Sequence, residues 1–430
     1  MVNITGNFAK EGIMNDEGIN HLYFEVTPSN KIEKRNIKNN VFLFLIDNSG
    51  SMDSTYGDVR NTTSTYLNAM SSKIKKSKLD YAKESIINFL DLMSNNDKVG
   101  VISFSDNASI IQEIAPLSYK DTIISSVNNL CTVGLTNIEE PLRVAKDMLQ
   151  TYKEDYNCKI ILLSDGHANC GVTSKQGLGA IARDISKENI SISTLGIGVD
   201  YDAHILGEIA EKGYGLFYHI KKMSEINNIF EQELSLNNST VAITSTLKIK
   251  VPNLIEVGEN LNGYAQSMED GTVTIELGKI NTKKKIVLEI KNNFVDTDLD
   301  FKYVLEYINI ENKKISIEDN KTLKVFDNLQ KLEEAYENKE IVEYVLELTN
   351  QNNMMKVAEN YETGNTKGLN KWFDNNLNKL TNLTSIYTSA ESKAKNIETL
   401  CSSMKMNYAS NSVSMEENKI MCESSFIGRK

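Results

Sequence analysis

"VFLFLIDNSGSMD", residues 41–53, is the stretch that decides the fold. An apolar run begins at Val41 and ends on Asp47, and two hydroxyl residues, Ser49 and Ser51, follow. A short, almost continuous apolar run bounded by turn residues is typical of a strand buried on both faces. The stretch therefore predicts a core strand that delivers one carboxylate and two hydroxyls to its carboxyl end.

Apolar runs alternate with amphipathic runs on both sides of this strand, from about residue 38 to residue 236. Three of the strand-like runs are nearly continuous, which predicts a mostly parallel, doubly wound α/β sheet with helices on both faces. Ligands of such sheets bind beyond the carboxyl ends of the strands. The further strand-like runs are "KVGVISFS" (98–105), "ASIIQEI" (108–114), "KIILLSD" (159–165), "SISTLGIG" (191–198) and "LFYHI" (216–220).

The pattern changes after the α/β domain. Short alternating runs from about 240 to 325 predict a small antiparallel β module, and "HLYFEVTP" (21–28) is expected to join it, so that the α/β domain is an insertion. Apolar residues at helical spacing between 327 and 403 predict a helical hairpin. The expected boundaries are an N-terminal segment at 1–37, the α/β domain at 38–236, the β domain at 237–326, the hairpin at 327–403 and a flexible tail at 404–430.

Composition narrows the class of protein. The 430 residues carry a formal net charge of −11, which argues against a nucleic-acid binder. No uncharged apolar run is long enough to span a bilayer, and residues 1–20 contain no apolar signal core. Five scattered cysteines fit reduced thiols better than a disulfide framework. These features together lead us to expect a cytoplasmic protein.

Oxygen-bearing side chains follow three segments at one edge of the predicted sheet. Asp47, Ser49 and Ser51 come from the first loop, Thr136 from "VGLTNIEEPL" (133–142) and Asp165 from "LLSDG" (162–166). An oxygen-only ligand set suits a hard cation such as Mg²⁺. Because hydroxyls are neutral, the bound cation would remain short of negative charge and would attract a further anion.

These three motifs together resemble the von Willebrand factor A domain family and its metal-ion-dependent adhesion site (MIDAS), in the bacterial multi-domain form. The pattern D-x-S-x-S is present as "DNSGS", the threonine loop as "GLTN" and the aspartate loop as "SDG". The resemblance covers about residues 38–236. It implies that Ser49, Ser51 and Thr136 ligate Mg²⁺ or Mn²⁺, with Asp47 and Asp165 in the first shell or just behind it.

The resemblance also implies a function: a protein-binding scaffold that captures an acidic residue, Asp or Glu, of a partner protein through the metal. Bacterial members of the family work with AAA+ ATPases of the MoxR kind or beside Ser/Thr kinases and phosphatases. The extended loop at 52–78 is expected to frame the binding face, because loops beside a site often set partner choice.

Other readings remain open from the sequence alone. Mg²⁺-dependent hydrolases and phosphotransferases also carry an aspartate at the end of a strand. They need a second acidic residue two positions later, and this chain has Ser49 at that position. No G-x-x-x-x-G-K-[ST] loop and no cysteine or histidine at zinc spacing is present. The protein is therefore expected to bind rather than to catalyse, and a purely structural or assembly protein with a vestigial site is the third possibility.

Overall fold

The structure, a computed structural model, describes residues 1–28, 38–54, 76–198, 200–220, 222, 225–409 and 413–428. It divides into two compact units. The α/β unit is Ile37–Ser239, and the sandwich unit combines Met1–Asn36 with Thr240–Lys430. The expected framing loop at 52–78 lies mostly outside the described residues, which omit 55–75.

A six-stranded sheet forms the centre of the α/β unit. Its order is β6-β5-β4-β7-β8-β9, and every neighbouring pair is parallel except β5 with the edge strand β6. The mostly parallel α/β fold class is thereby confirmed. The strands are β4 (Asn40–Asp47), β5 (Lys98–Phe104), β6 (Ala108–Pro116), β7 (Asn157–Ser164), β8 (Ser191–Ile197) and β9 (Tyr214–Ile220).

Helices cover this sheet, which explains its continuous apolar runs. All eight residues of β4 and all eight of β7 are buried. On one face, Phe42 and Phe44 of β4 pack edge-on against Phe89. The helices of the unit are α1 (Lys78–Leu90), α2 (Lys120–Asn128), α3 (Glu139–Leu149), α4 (Lys175–Ser186), α5 (Ala203–Lys212) and α6 (Glu225–Asn238).

Two sheets form the β part of the sandwich unit, with orders β1-β3-β14-β11 and β12-β13-β10-β15-β16-β2. Inward-facing apolar residues of both sheets form one core, because alternate residues of each strand point to the same side. The strands are β1 (Val2–Phe8), β2 (Gly12–Met14), β3 (Ile19–Pro28), β10 (Ala242–Lys250), β11 (Ile255–Asn260), β12 (Ala265–Glu269), β13 (Thr272–Glu276), β14 (Lys284–Asn292), β15 (Leu299–Asn309) and β16 (Lys314–Phe326).

The first twenty residues contain two strands that the sequence did not reveal. β1 alternates buried and less buried residues, but Gly6 interrupts its apolar pattern. The glycine is needed because a Cβ there would lie 2.9 Å from the ring of Tyr303, whose hydroxyl accepts the Gly6 N–H at 3.1 Å. β2 pairs in parallel with β16, so the β part is not wholly antiparallel.

The helical part is larger than the expected hairpin. The helices are α7 (Leu329–Glu333), α8 (Lys339–Glu362), α9 (Thr366–Ile386), α10 (Glu391–Ala409) and α11 (Met415–Gly428). The part of that hairpin between Phe373 and Cys401 is divided between α9 and α10, and Tyr387 ends α9 in an extended conformation. The tail expected to be flexible carries α11, in which Cys422 and Phe426 are buried. None of the described helices is long and apolar enough to cross a membrane.

Candidate metal centre

Asp47 is the last residue of β4, and its carboxylate is completely buried. One oxygen, Oδ1, accepts the backbone N–H of Ser49 at 2.9 Å, and Oδ2 accepts the hydroxyl of Ser164 at 2.6 Å. Burial raises the pKa of the Asp47 carboxyl to about 6, because these hydrogen bonds offset only part of the lost hydration. A positive charge beside Asp47 would stabilise its ionised form.

The two serines after β4 point their hydroxyls at each other. A short 3₁₀ helix, Gly50–Asp53, turns the chain directly after Ser49. The two Oγ atoms of Ser49 and Ser51 lie 3.0 Å apart, and Ser51 donates to Asp165 Oδ1 at 2.6 Å. Asp165 directly follows β7, the parallel neighbour of β4. The first and third predicted loops therefore meet at one edge of the sheet.

Thr136 lies between α2 and α3 and exchanges two hydrogen bonds with Asn169. The side-chain oxygen of Asn169 accepts the Thr136 N–H at 2.8 Å, and the Asn169 N–H donates to the Thr136 carbonyl at 3.0 Å. Gly134 has φ +66°, and a Cβ at that residue would lie 2.3 Å from Asp106 Oδ2. Asp106 is exposed and accepts the N–H of Leu135 at 3.2 Å, so it supports this loop from outside.

Oxygens of the first two loops converge beside Gly166, which belongs to the third. A Cβ placed on Gly166 would lie 3.1 Å from Thr136 Oγ1, 3.7 Å from Ser51 Oγ and 3.9 Å from Asp47 Oδ2. Any side chain at this position would take up the space that these oxygens face. The structure thus brings the five predicted residues together, with Ser49 and Asp165 joined to the group through Ser51.

Two further residues lie at the site that were not predicted from the sequence. Lys78, the first residue of α1, places Nζ 2.6 Å from Asp165 Oδ2. A lysine in the first turn of a helix interacts unfavourably with the helix dipole. This unfavourable position was the feature of the sequence that could have indicated another role for Lys78. Ser164 is the other; its signal was a hydroxyl at the end of the apolar run in β7.

The donor set fits a hard divalent cation. It consists of carboxylate and hydroxyl oxygens, which Mg²⁺ prefers, and sulfur ligands are absent from the group. Asp47 and Asp165 together carry two negative charges, and Lys78 compensates one of them. Two ionisable residues near these loops in the sequence, Asp53 and His167, are exposed.

The region that contains these loops is similar in sequence to known proteins. Residues 42–167 match the sequence model described as von Willebrand factor type A domain. The uncharacterized protein sll0103 of Synechocystis sp. is 28% identical over 168 residues, which are 39% of this chain and 39% of that protein. The inter-alpha-trypsin inhibitor heavy chain H3 of Mus musculus is 24% identical over 37% of this chain and 19% of its own length. The matches therefore span well under half of these relatives.

Solved structures share the fold over much more of the chain. A von Willebrand factor type A protein from Catenulispora acidiphila superposes with a TM-score of 0.65 and 14% identity, covering 92% of this chain and 89% of its own. The ArnB paralog VWA2 from Sulfolobus acidocaldarius gives a TM-score of 0.59 and 16% identity, covering 100% and 99%. At these identities the likeness concerns the fold alone.

Proposed function

Because this chain belongs to the von Willebrand factor type A domain family, whose domains commonly take part in protein–protein interactions, we propose that it is a metal-dependent protein-binding scaffold. Ser49, Ser51 and Thr136 would hold Mg²⁺ or Mn²⁺, with Asp47 and Asp165 supplying negative charge in or just behind the first shell. The bound ion would give a partner's Asp or Glu a position to coordinate. The convergence of three loops on the space beside Gly166 is the observation that carries this proposal.

The charge balance supports capture of an acidic group. Lys78 pairs with Asp165, which leaves Asp47 as the one uncompensated carboxylate of the group. A divalent cation held there would keep a net positive charge in a buried setting, where electrostatic attraction is stronger than in water. A carboxylate from another protein would neutralise that charge.

The hydrogen bonding favours binding over catalysis. Both oxygens of Asp47 accept hydrogen bonds, from Ser49 and Ser164, and both oxygens of Asp165 do so, from Ser51 and Lys78. Each of these oxygens is thus already held by a donor of the protein, which suits a fixed ligand set better than a general base that must exchange protons with a substrate. The partner systems that the resemblance implies, a MoxR-type ATPase or a kinase and phosphatase pair, remain candidates.

Replacing Thr136 tests the proposal. Thr136→Ala removes one converging oxygen, and we expect calorimetric titration with Mg²⁺ and Mn²⁺ to show at least a tenfold loss of affinity. Thr136→Ser is the matched control and should bind as the wild type does, because it keeps the hydroxyl. Circular dichroism should show the same fold for all three proteins.

A partner should then be retained by wild-type protein in Mg²⁺ but not in chelator, and not by Thr136→Ala in either condition. Asp or Glu substitutions in that partner should abolish its retention. Unchanged metal binding by Thr136→Ala, or unfolding of this variant, would show that the threonine is structural and would overturn the proposed site.

A further inference from the structure

Lys78 is a buried cation inside the proposed metal site. Its side chain is 8% exposed, and its ammonium lies 2.6 Å from Asp165 Oδ2. The other oxygen of Asp165 accepts the Ser51 hydroxyl, also at 2.6 Å. Asp165 is therefore saturated by a hydroxyl on one side and a full positive charge on the other.

The local fold holds this lysine in place against two unfavourable effects, burial of a charge and the positive end of the helix dipole. Ser77 caps α1 with its side chain, and the Lys78 N–H donates to the Ser54 carbonyl at 3.1 Å. Opposite the ammonium, Gly198 has φ +82°, and a Cβ there would lie 3.3 Å from Lys78 Nζ. The cap and the backbone hydrogen bond thus fix the start of α1, and Gly198 leaves room for the ammonium at Asp165.

We infer that Lys78 is a built-in competitor of the metal: it neutralises Asp165, so the site holds its cation weakly until a partner carboxylate arrives. This inference rests on the proposed function. A second positive charge close to the ion disfavours metal binding, while the same charge favours a carboxylate brought in by a partner. Metal and partner would then strengthen each other's binding by the same factor, as thermodynamic linkage requires.

If Lys78 had a purely positioning role, its removal would change the metal affinity in the opposite direction. If the lysine only oriented Asp165 for the metal, removing it would weaken metal binding. If it offsets the charge of Asp165, removing it leaves two uncompensated carboxylates and strengthens metal binding. The direction of the change in metal affinity therefore separates the two roles.

A charge series in the whole 430-residue chain measures that direction, with Mn²⁺ alone as the probe in calorimetric titrations. Counting Asp47, Asp165 and Lys78, the site is neutral in Asp165→Asn and has one negative charge in the wild type. Lys78→Met has two negative charges, and the double variant Lys78→Met/Asp165→Asn returns to one. We expect affinity to rise at least tenfold from wild type to Lys78→Met and to fall at least tenfold in Asp165→Asn.

The double variant keeps the test valid if Lys78→Met does not fold, because it removes both charges of the Lys78–Asp165 pair and so leaves neither partner buried alone. We expect it to bind Mn²⁺ at least tenfold more tightly than Asp165→Asn, within about threefold of the wild type. Lys83→Met is the control for overall charge, since Lys83 lies on the same helix and its ammonium donates to the Asn128 carbonyl. Its affinity should equal that of the wild type.

Two outcomes overturn the inference. Weaker or unchanged Mn²⁺ binding by Lys78→Met, or a double variant no better than Asp165→Asn, would show that Lys78 acts by positioning, and the proposed function would stand. Absence of Mn²⁺ and Mg²⁺ binding by every protein in the series, wild type included, would remove the proposed function and this inference together.

Discussion

The two ends of strand β7 carry the same chemistry with different surroundings. Near its amino end, Lys159 places Nζ 2.8 Å from Glu233 Oε2, and the two side chains are 6% and 0% exposed. Beyond its carboxyl end, Asp165 meets Lys78 at 2.6 Å, again with both side chains buried. Each end therefore contains one buried lysine–carboxylate pair.

The surroundings of the two pairs separate a structural pair from one at a candidate site. Glu233 also accepts the hydroxyl of Tyr218 at 2.9 Å, and the amide of Asn237 donates to Asn157 and Asn40 at the same end of the sheet. At the carboxyl end, the neighbouring hydroxyl oxygens instead face the open space beside Gly166. A buried ion pair alone does not indicate function; converging oxygens that lack a filling side chain do.

Breaking the amino-end pair should give the largest loss of stability. Lys159→Met leaves Glu233 buried without its cation, which typically costs about 3–5 kcal/mol of unfolding free energy. Urea denaturation followed by circular dichroism measures the loss, and hydrogen exchange at β7 amides assigns it to the α/β unit. Metal affinity should not change.

The matched control for this prediction removes both charges. Lys159→Met/Glu233→Gln should recover most of the lost stability, because no unpaired charge remains. A loss below about 1 kcal/mol in Lys159→Met would contradict the structural assignment of this pair, as would a change in Mn²⁺ affinity.

Asp47→Asn should raise the free energy of unfolding of the metal-free protein, whereas Lys159→Met lowers it. The pKa of Asp47 is about 6 in the fold, above the value of about 3.9 for an unfolded chain, so stability is lost as pH rises between these values. At pH 7 the ionised carboxylate costs the fold about 3 kcal/mol, and the amide avoids that cost. The variant should be more stable than wild type at pH 7 without metal.

Urea denaturation at pH 4 and pH 7, in chelator and in Mg²⁺, checks this prediction. The advantage of Asp47→Asn should disappear at pH 4, where the wild-type carboxyl is protonated, and in Mg²⁺, which stabilises only the wild type. A variant less stable than wild type at pH 7 in chelator would show that Asp47 contributes more to the fold than to a charged site.

The sequence predicted at which edge of the sheet the site lies, because the residues that indicate it stand at the ends of single strands. Asp47 and Asp165 each end an apolar run, and carboxyl ends of parallel strands lie at one edge of the sheet. The mostly parallel sheet was predicted because its apolar runs are nearly continuous, and a strand with one exposed face would alternate apolar and polar residues. These conclusions required no knowledge of which residues pair across the chain.

The rest depended on contacts between distant segments. Lys78 is 87 positions from Asp165 and follows a long polar stretch of sequence, so periodicity could not connect them. β1 was missed because Gly6 breaks its alternation, and that glycine is explained only by Tyr303, 297 positions away. In the tail, α11 buries Cys422 and Phe426, although the segment shows no clear apolar period.

Ser164→Ala should give the smallest effect of the three changes. Its hydroxyl donates to Asp47 Oδ2 at 2.6 Å in a fully buried setting. Without it, the ionised Asp47 loses one of its hydrogen-bond donors, so its pKa should rise further and stability should fall by about 1–2 kcal/mol at pH 8. At pH 4 the protonated carboxyl needs this donor less, so the loss should be smaller there. Paired urea denaturations of Ser164→Ala and wild type at both pH values measure the difference. An equal loss at pH 4 and pH 8 would show that Ser164 packs the end of β7 and does not tune the charge of Asp47.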